Sequence, residues 1–172
     1  IIAAMLKVIT YDRDNSHASY YRNFILAAKP DIAAELSVTG VEQANQKNYD
    51  IAEEILAALR ALQPTEPDPA LNLALVYEEH AKVYEKGNRL DLMETYLDQT
   101  HALYSDLLKQ FPKHPRVHFN CGHFFLHMKN YVRARDHLEQ YLELSDDTKK
   151  KEMVVTILDE LTRQSESDEW FR

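Results

Sequence analysis

The chain has 172 residues, with 20 Lys plus Arg against 28 Asp plus Glu and a formal net charge of -8. A phosphate backbone is repelled at that charge unless a basic patch intervenes, and none does, because Lys149-Lys150-Lys151 runs straight into Glu152; nucleic acid is therefore excluded as a partner. Hydrophobic residues make up 45% of the chain and glycine only 3 positions, which favours one all-α domain, residues 1-172, over strands joined by glycine-rich turns.

In chain order, Ile1 to Ile9 is apolar apart from Lys7. That run is too short to span a membrane and lacks the basic start and cleavage site of a signal peptide, so it is expected to form a helix. The chain does not begin with Met, so a targeting segment upstream of it would be invisible. Ser16 to Lys29 carries Ala18, Tyr21, Ile25 and Ala28 along one side and stops before Pro30, which disfavours helix at the residue preceding it. Asp31 is an expected N-cap for the helix that follows.

Gly40, Ala52, Leu56, Leu59 and Pro64 stand at the same mutual spacing as Gly122, Ala134, Leu138, Tyr141 and Asp146. The turn tripeptide Lys47-Asn48-Tyr49 likewise matches Lys129-Asn130-Tyr131. Stepping 34 positions back from Ala52 and Pro64 reaches Ala18 and Pro30, with Leu6 in the small-residue slot, which makes the first unit degenerate. Thirty-four positions forward from Gly40 stands Ala74, with Tyr77 three further on, after the breaker Thr65-Glu66-Pro67-Asp68-Pro69. From there the register slips. With Asn88 taken as the counterpart of Asn48, the third unit has gained six residues before its turn and eight after it. An insertion divided so evenly predicts a lengthened helical hairpin, with Tyr77, Ala81 and Tyr84 on the outgoing side and Leu92, Tyr96, Thr100, Tyr104 and Leu107 on the return. Past Asp146-Asp147, the face made by Val154, Ile157, Leu158 and Leu161 predicts an amphipathic capping helix over 149-165. A polar tail, 166-172, is expected to fray; Trp170 and Phe171 within it either fold back or mark the end of a piece cut from a longer protein.

The apolar-Gly pair, the aromatic three residues on, the later Ala, the bulky apolar residue and the closing Pro over 34 residues resemble the tetratricopeptide repeat (TPR). Departures are Asp146 in place of the closing Pro and Tyr141 in place of a small residue. The resemblance implies an all-α, right-handed α-solenoid of antiparallel helix pairs, with repeats at about 1-32, 33-66, 67-114 (elongated by 14 residues) and 115-148. It further implies a concave groove, lined by the first helix of each pair, that holds a protein or peptide partner.

Helical spacing picks out the residues of each first helix that lie opposite the small-residue slot. They are Ala34, Ser37, Val41 and Asn45; then Leu71, Leu75, Glu78 and Lys82; then Arg116, Phe119, His123 and His127. Some members of the family clamp the C-terminal carboxylates of chaperones with Lys, Asn and Arg. Asn72 matches the clamp Asn and Arg116 stands for its later Lys, but Ser37, Val41 and Asn120 do not supply the other charges, so that ligand is not expected. His123 and His127 stand four apart and could face one metal ion, yet no third ligand is evident, and neither metal nor cofactor is expected. Nor is a catalytic constellation expected: Ser105 and Asp106 have only His101 nearby in sequence, and Cys121 beside His118 and His123 reads as helix packing. Glu53, Glu54, Asp136, Glu139 and Glu143 read as solvated outward faces. The single cysteine excludes an intrachain disulfide and fits a reducing, cytoplasmic setting. The reading is a non-catalytic adaptor without membrane insertion; the alternatives are a self-associating protein that uses the 77-104 hairpin, and a small-ligand or metal binder.

Overall fold

The computed structural model describes residues 1-170, and side chains through Asp168. The described residues form nine helices and no strand: α1 (Ile2–Tyr11), α2 (Ala18–Ala28), α3 (Ile32–Asn45), α4 (Tyr49–Leu62), α5 (Asp68–Lys86), α6 (Leu90–Gln110), α7 (Pro115–His127), α8 (Tyr131–Leu144) and α9 (Thr148–Trp170). The fold is all-α, built of antiparallel helix pairs, one of them lengthened, and a terminal helix. The chain packs as two compact units, residues 1-107 and residues 108 onward.

The three turns that join α3 to α4, α5 to α6 and α7 to α8 share one geometry. Lys47, Asn88 and Lys129 adopt φ of 63°, 56° and 56°, the left-handed conformation that ends a helix. The same two backbone hydrogen bonds close each turn: Lys47 to Ala44 and Asn48 to Gln43, Asn88 to Glu85 and Arg89 to Tyr84, Lys129 to Leu126 and Asn130 to Phe125. The structural counterpart of Lys47 is therefore Asn88, and Asn48 corresponds to Arg89. This corrects the expected division of the insertion. Gly40 to Lys47 is seven positions and Ala74 to Asn88 is fourteen; Lys47 to Pro64 is seventeen and Asn88 to Pro112 is twenty-four. Each helix has gained seven residues rather than six and eight. Seven residues make almost two turns at 3.6 per turn, so the added length returns each buried stripe to its own face.

With that register, the second helices repeat one triplet of slots: Ala52, Leu56 and Leu59; Thr100, Tyr104 and Leu107; Ala134, Leu138 and Tyr141. All nine are at most 3% exposed. Facing the middle slot, a Cβ added at Gly40 would lie 2.8 Å from Leu56 Cδ2, and one added at Gly122 only 2.6 Å from Leu138 Cδ2. Glycine at these crossings is required by close approach of the helices. Ala74, in the corresponding place on α5, is fully buried.

In the first unit, Ile9, Ala18, Ile25, Ile32, Ala61 and Leu62 form a core cluster, with Met5, Leu6, Tyr21 and Leu36 packed against it. The first pair departs from the regular arrangement, because α1 packs on α4 as well as on α2. Arg22 Nε fastens α2 by donating to the Ala61 carbonyl at 2.8 Å. Asp31 occupies the N-cap position of α3, but its side chain makes no capping bond.

In the second unit, Leu138, Tyr141 and Val154 make a core with Phe119, Leu126, Leu142, Ile157 and Leu158 around it, joining α7, α8 and α9. Asn130 caps α8 by accepting from the Arg133 N–H at 3.2 Å. The terminal helix does not end at residue 165. It continues through the polar stretch to Trp170, since no Gly or Pro interrupts the chain after Thr148. The Trp170 side chain and Phe171 lie outside the described residues, and with them the expectation that they fold back or mark a cut.

Candidate functional site

Within the first unit, a cleft of about 370 Å³ opens between α3 and α5, floored by α4. Val41, Ala44 and Asn45 line it from α3; Lys47, Tyr49 and Leu56 from the turn and α4; Asn72, Leu75, Val76 and Glu79 from α5. Gly40 lets α3 approach Leu56 of α4, which also lines the cleft. Val41 and Leu75, on facing walls of the cleft, remain 39% and 41% exposed. The carboxamides of Asn45 and Asn72 flank them.

Of the sequence-derived groove residues, this cleft brings together Val41, Asn45, Asn72 and Leu75. Ser37 is half-buried on α3, outside the cleft lining. Leu71 is not available to a partner, being fully buried. A face chosen by spacing alone is too wide here, because α5 contacts both α3 and α4. Glu78 is likewise interior: it is 9% exposed and accepts a hydrogen bond from the Tyr104 hydroxyl at 2.8 Å. Burial pushes its carboxyl up to about 7, against the opposing pull of that hydrogen bond and of Lys82. Lys82 pairs along its own helix with Glu79 at 2.6 Å.

The α7 residues belong to the second unit. Arg116 is half-buried. Phe119 packs into the core: its ring lies 5.0 Å from Tyr141 and 4.4 Å from His123, and Lys150 Nζ sits 5.5 Å above it. Residues of α9 pack beside it. His123 is half-buried, and burial followed by the nearby His127 lowers its pKa. His127 is exposed at the end of α7. His118 takes a packing slot, with its ring nitrogens 2.7 Å from the Pro112 carbonyl and 3.1 Å from His137 Nδ1. Cys121 is completely buried.

A second constellation was not anticipated. Glu53 does not point outward but reaches His80 of α5, with Oε1 2.5 Å from Nδ1, while its Oε2 accepts from the Tyr96 hydroxyl at 3.1 Å. Asp50, one turn earlier on α4, places Oδ1 4.0 Å from His80 Nε2. Tyrosine rings enclose the imidazole: Tyr84 stacks at 4.7 Å, Tyr96 lies at 4.4 Å and Tyr49 at 5.5 Å. Burial raises the Glu53 pKa, opposed by its bonds to His80 and Tyr96, and burial together with the Glu53 charge also raises that of Tyr96. Tyr77 meets Tyr96 edge-on at 5.7 Å. The tyrosines of the long hairpin thus pack inward, around His80 and against α4. The i, i+3 spacing of Asp50 and Glu53 was a legible signal that both lie on one face. What that face meets depends on α5, far along the chain.

No protein-family model matches the chain, and no curated protein sequence matches it. Among solved structures, MamA, as an arginine-to-glutamate mutant, resembles it with a TM-score of 0.48 and 16% identity over 85% of this chain and 98% of that one. Among the described residues, no helix is long and apolar enough to cross a membrane.

Proposed function

We propose that the chain is a tetratricopeptide-type adaptor that catalyses no reaction and holds a segment of a protein partner in the cleft between α3 and α5. The observation that carries this reading is the pair Val41 and Leu75, aliphatic and substantially exposed across one cleft, with Asn45 and Asn72 beside them. Apolar anchors bordered by carboxamides suit a peptide, whose side chain fills the apolar space while its backbone amides bond to the rim. The partner segment is expected to present an aliphatic or aromatic side chain. Burial of Cys121 in the core removes the one thiol from nucleophilic chemistry, and a chain with a single cysteine, which can form no intrachain disulfide, suits the reducing cytoplasm.

The test takes a partner recovered from the native cell, purified, and titrated into the native chain and into a Val41→Glu, Leu75→Glu double variant. Both sites are exposed, so the fold should persist, as circular dichroism checks. Loss of binding by the double variant, with retention by Val132→Glu on α8, supports the cleft. Equal affinity of all three chains rules it out.

A further inference from the structure

The cluster between α4 and α5 has the geometry of a metal site. Both oxygens of Glu53 are engaged, one by His80 Nδ1 and one by the Tyr96 hydroxyl. A carboxylate accepts, so Nδ1 donates that bond, and it is the neutral imidazole so oriented that offers a lone pair on Nε2. That lone pair faces the Asp50 carboxylate, also an acceptor, across 4.0 Å. Two acceptors opposed at this distance are too far apart to bond directly. Tetrahedral bonds of about 2.0–2.1 Å would set these two atoms roughly 3.3–3.4 Å apart, so the exposed Asp50 side chain must close the gap by rotating toward Nε2. One donor oxygen from each of Asp50 and Glu53 and a nitrogen of His80 lie mutually within 4.8 Å.

We propose that Asp50 Oδ1 and His80 Nε2 bind a divalent transition-metal ion of the zinc class, with Glu53 as the positioning residue that fixes the imidazole through Nδ1–H. A carboxylate behind a ligating histidine is the usual means of setting its tautomer and raising its basicity. The enclosing rings of Tyr49, Tyr84 and Tyr96 hold the imidazole plane, so little rotamer freedom is lost on binding. The mixed nitrogen and oxygen set selects zinc, cobalt, nickel or copper over magnesium and calcium, which take oxygen ligands. The Asp50 side chain is 89% exposed and that of His80 only 8%, so the ion would sit at the surface end of the cluster with its remaining positions filled by water.

Zinc titrated calorimetrically into the full chain, in a non-coordinating buffer, tests the site. One site is expected, weakened at least tenfold by Asp50→Asn and unchanged by His123→Ala, which removes the competing pair on α7. Asp50 is exposed, so its replacement tests the ligand without touching the fold, whereas a His80 variant would also empty the tyrosine cage. In proton–nitrogen spectra of the histidine side chains, His80 Nε2 should shift on zinc addition while Nδ1 keeps its proton. No zinc heat, full affinity in Asp50→Asn, loss in His123→Ala, or a metal-induced loss of the Nδ1 proton would each overturn the assignment. Val41→Glu, Leu75→Glu should bind zinc normally, which keeps this result separate from the fate of the cleft.

Discussion

The hairpins α3/α4 and α7/α8 and the longer hairpin α5/α6 solve the same packing problem with different chemistry. In the two short hairpins, a glycine meets a leucine at the crossing, and the three recurring slots hold only apolar or aromatic groups. In the long one, alanine replaces glycine, and the first two slots hold Thr100 and Tyr104. Each hydroxyl there has a local acceptor: Thr100 Oγ1 donates to the Tyr96 carbonyl at 2.7 Å, and Tyr104 to Glu78. Lengthening thus leaves the slot geometry intact while putting hydroxyl-bearing side chains in the first two slots, where the short hairpins carry alanine and leucine. The same inserted turns bring His80 and Tyr96 to Glu53, so the unusual chemistry of the chain arises where its repeat was extended.

The comparison is broken most forcefully at the middle slots. Leu138→Ala and Leu56→Ala should each destabilise by about 2–5 kcal/mol, the range for truncating fully buried leucines, and denaturant unfolding would show whether the two positions behave alike. Overpacking comes next. Ala134→Leu and Ala52→Leu should destabilise by roughly 1–3 kcal/mol, whereas Asp136→Leu on the exposed side of α8 should stay within about 0.5 kcal/mol. Equal effects at Ala134 and Asp136 would contradict the slots.

The long hairpin makes a distinct prediction in pH. The Glu78 carboxyl titrates near 7 in the folded chain against an ordinary value of 4.5. A raised folded value stabilises fully below 4.5, and that contribution falls away as pH rises from there through 7, since the buried carboxylate must then ionise. Glu78→Gln should therefore flatten the decline in melting temperature between pH 5 and 8, removing a contribution on the order of 3 kcal/mol. An unchanged decline would place the titrating group elsewhere. The smallest effect belongs to the turns. Lys47→Gly and Lys129→Gly should stabilise by a few tenths to about 1 kcal/mol, because glycine adopts the left-handed conformation without a steric penalty.

Much of this was legible in the sequence. Recurring small residues marked the crossings, the Lys-Asn-Tyr tripeptides marked two turns, and apolar spacing foresaw nearly every helix. The third turn was misaligned by one residue because Asn88 resembles Asn48 in identity, while hydrogen bonding and φ match it to Lys47. Leu71 and Glu78 were assigned to a groove because helical spacing defines one side of a helix, and α5 is covered on more than one side. Glu53 was read as solvated for a related reason. Its face was known, but its neighbour across the interface is 27 positions distant, and no local pattern announces a pairing of that kind.

The doubled seven-residue gain has an implication for how such hairpins change length. A matched pair of one-residue additions would swing the tip by about 100° about each axis, burying charge and baring leucine, while seven on each arm bring it back nearly to where it began. Viable lengths are then spaced like the teeth of a comb, and evolution of this surface proceeds by jumps between teeth. Engineers grafting a new recognition tip onto α5 and α6 can add two turns per arm as one move and keep each buried stripe on its own face.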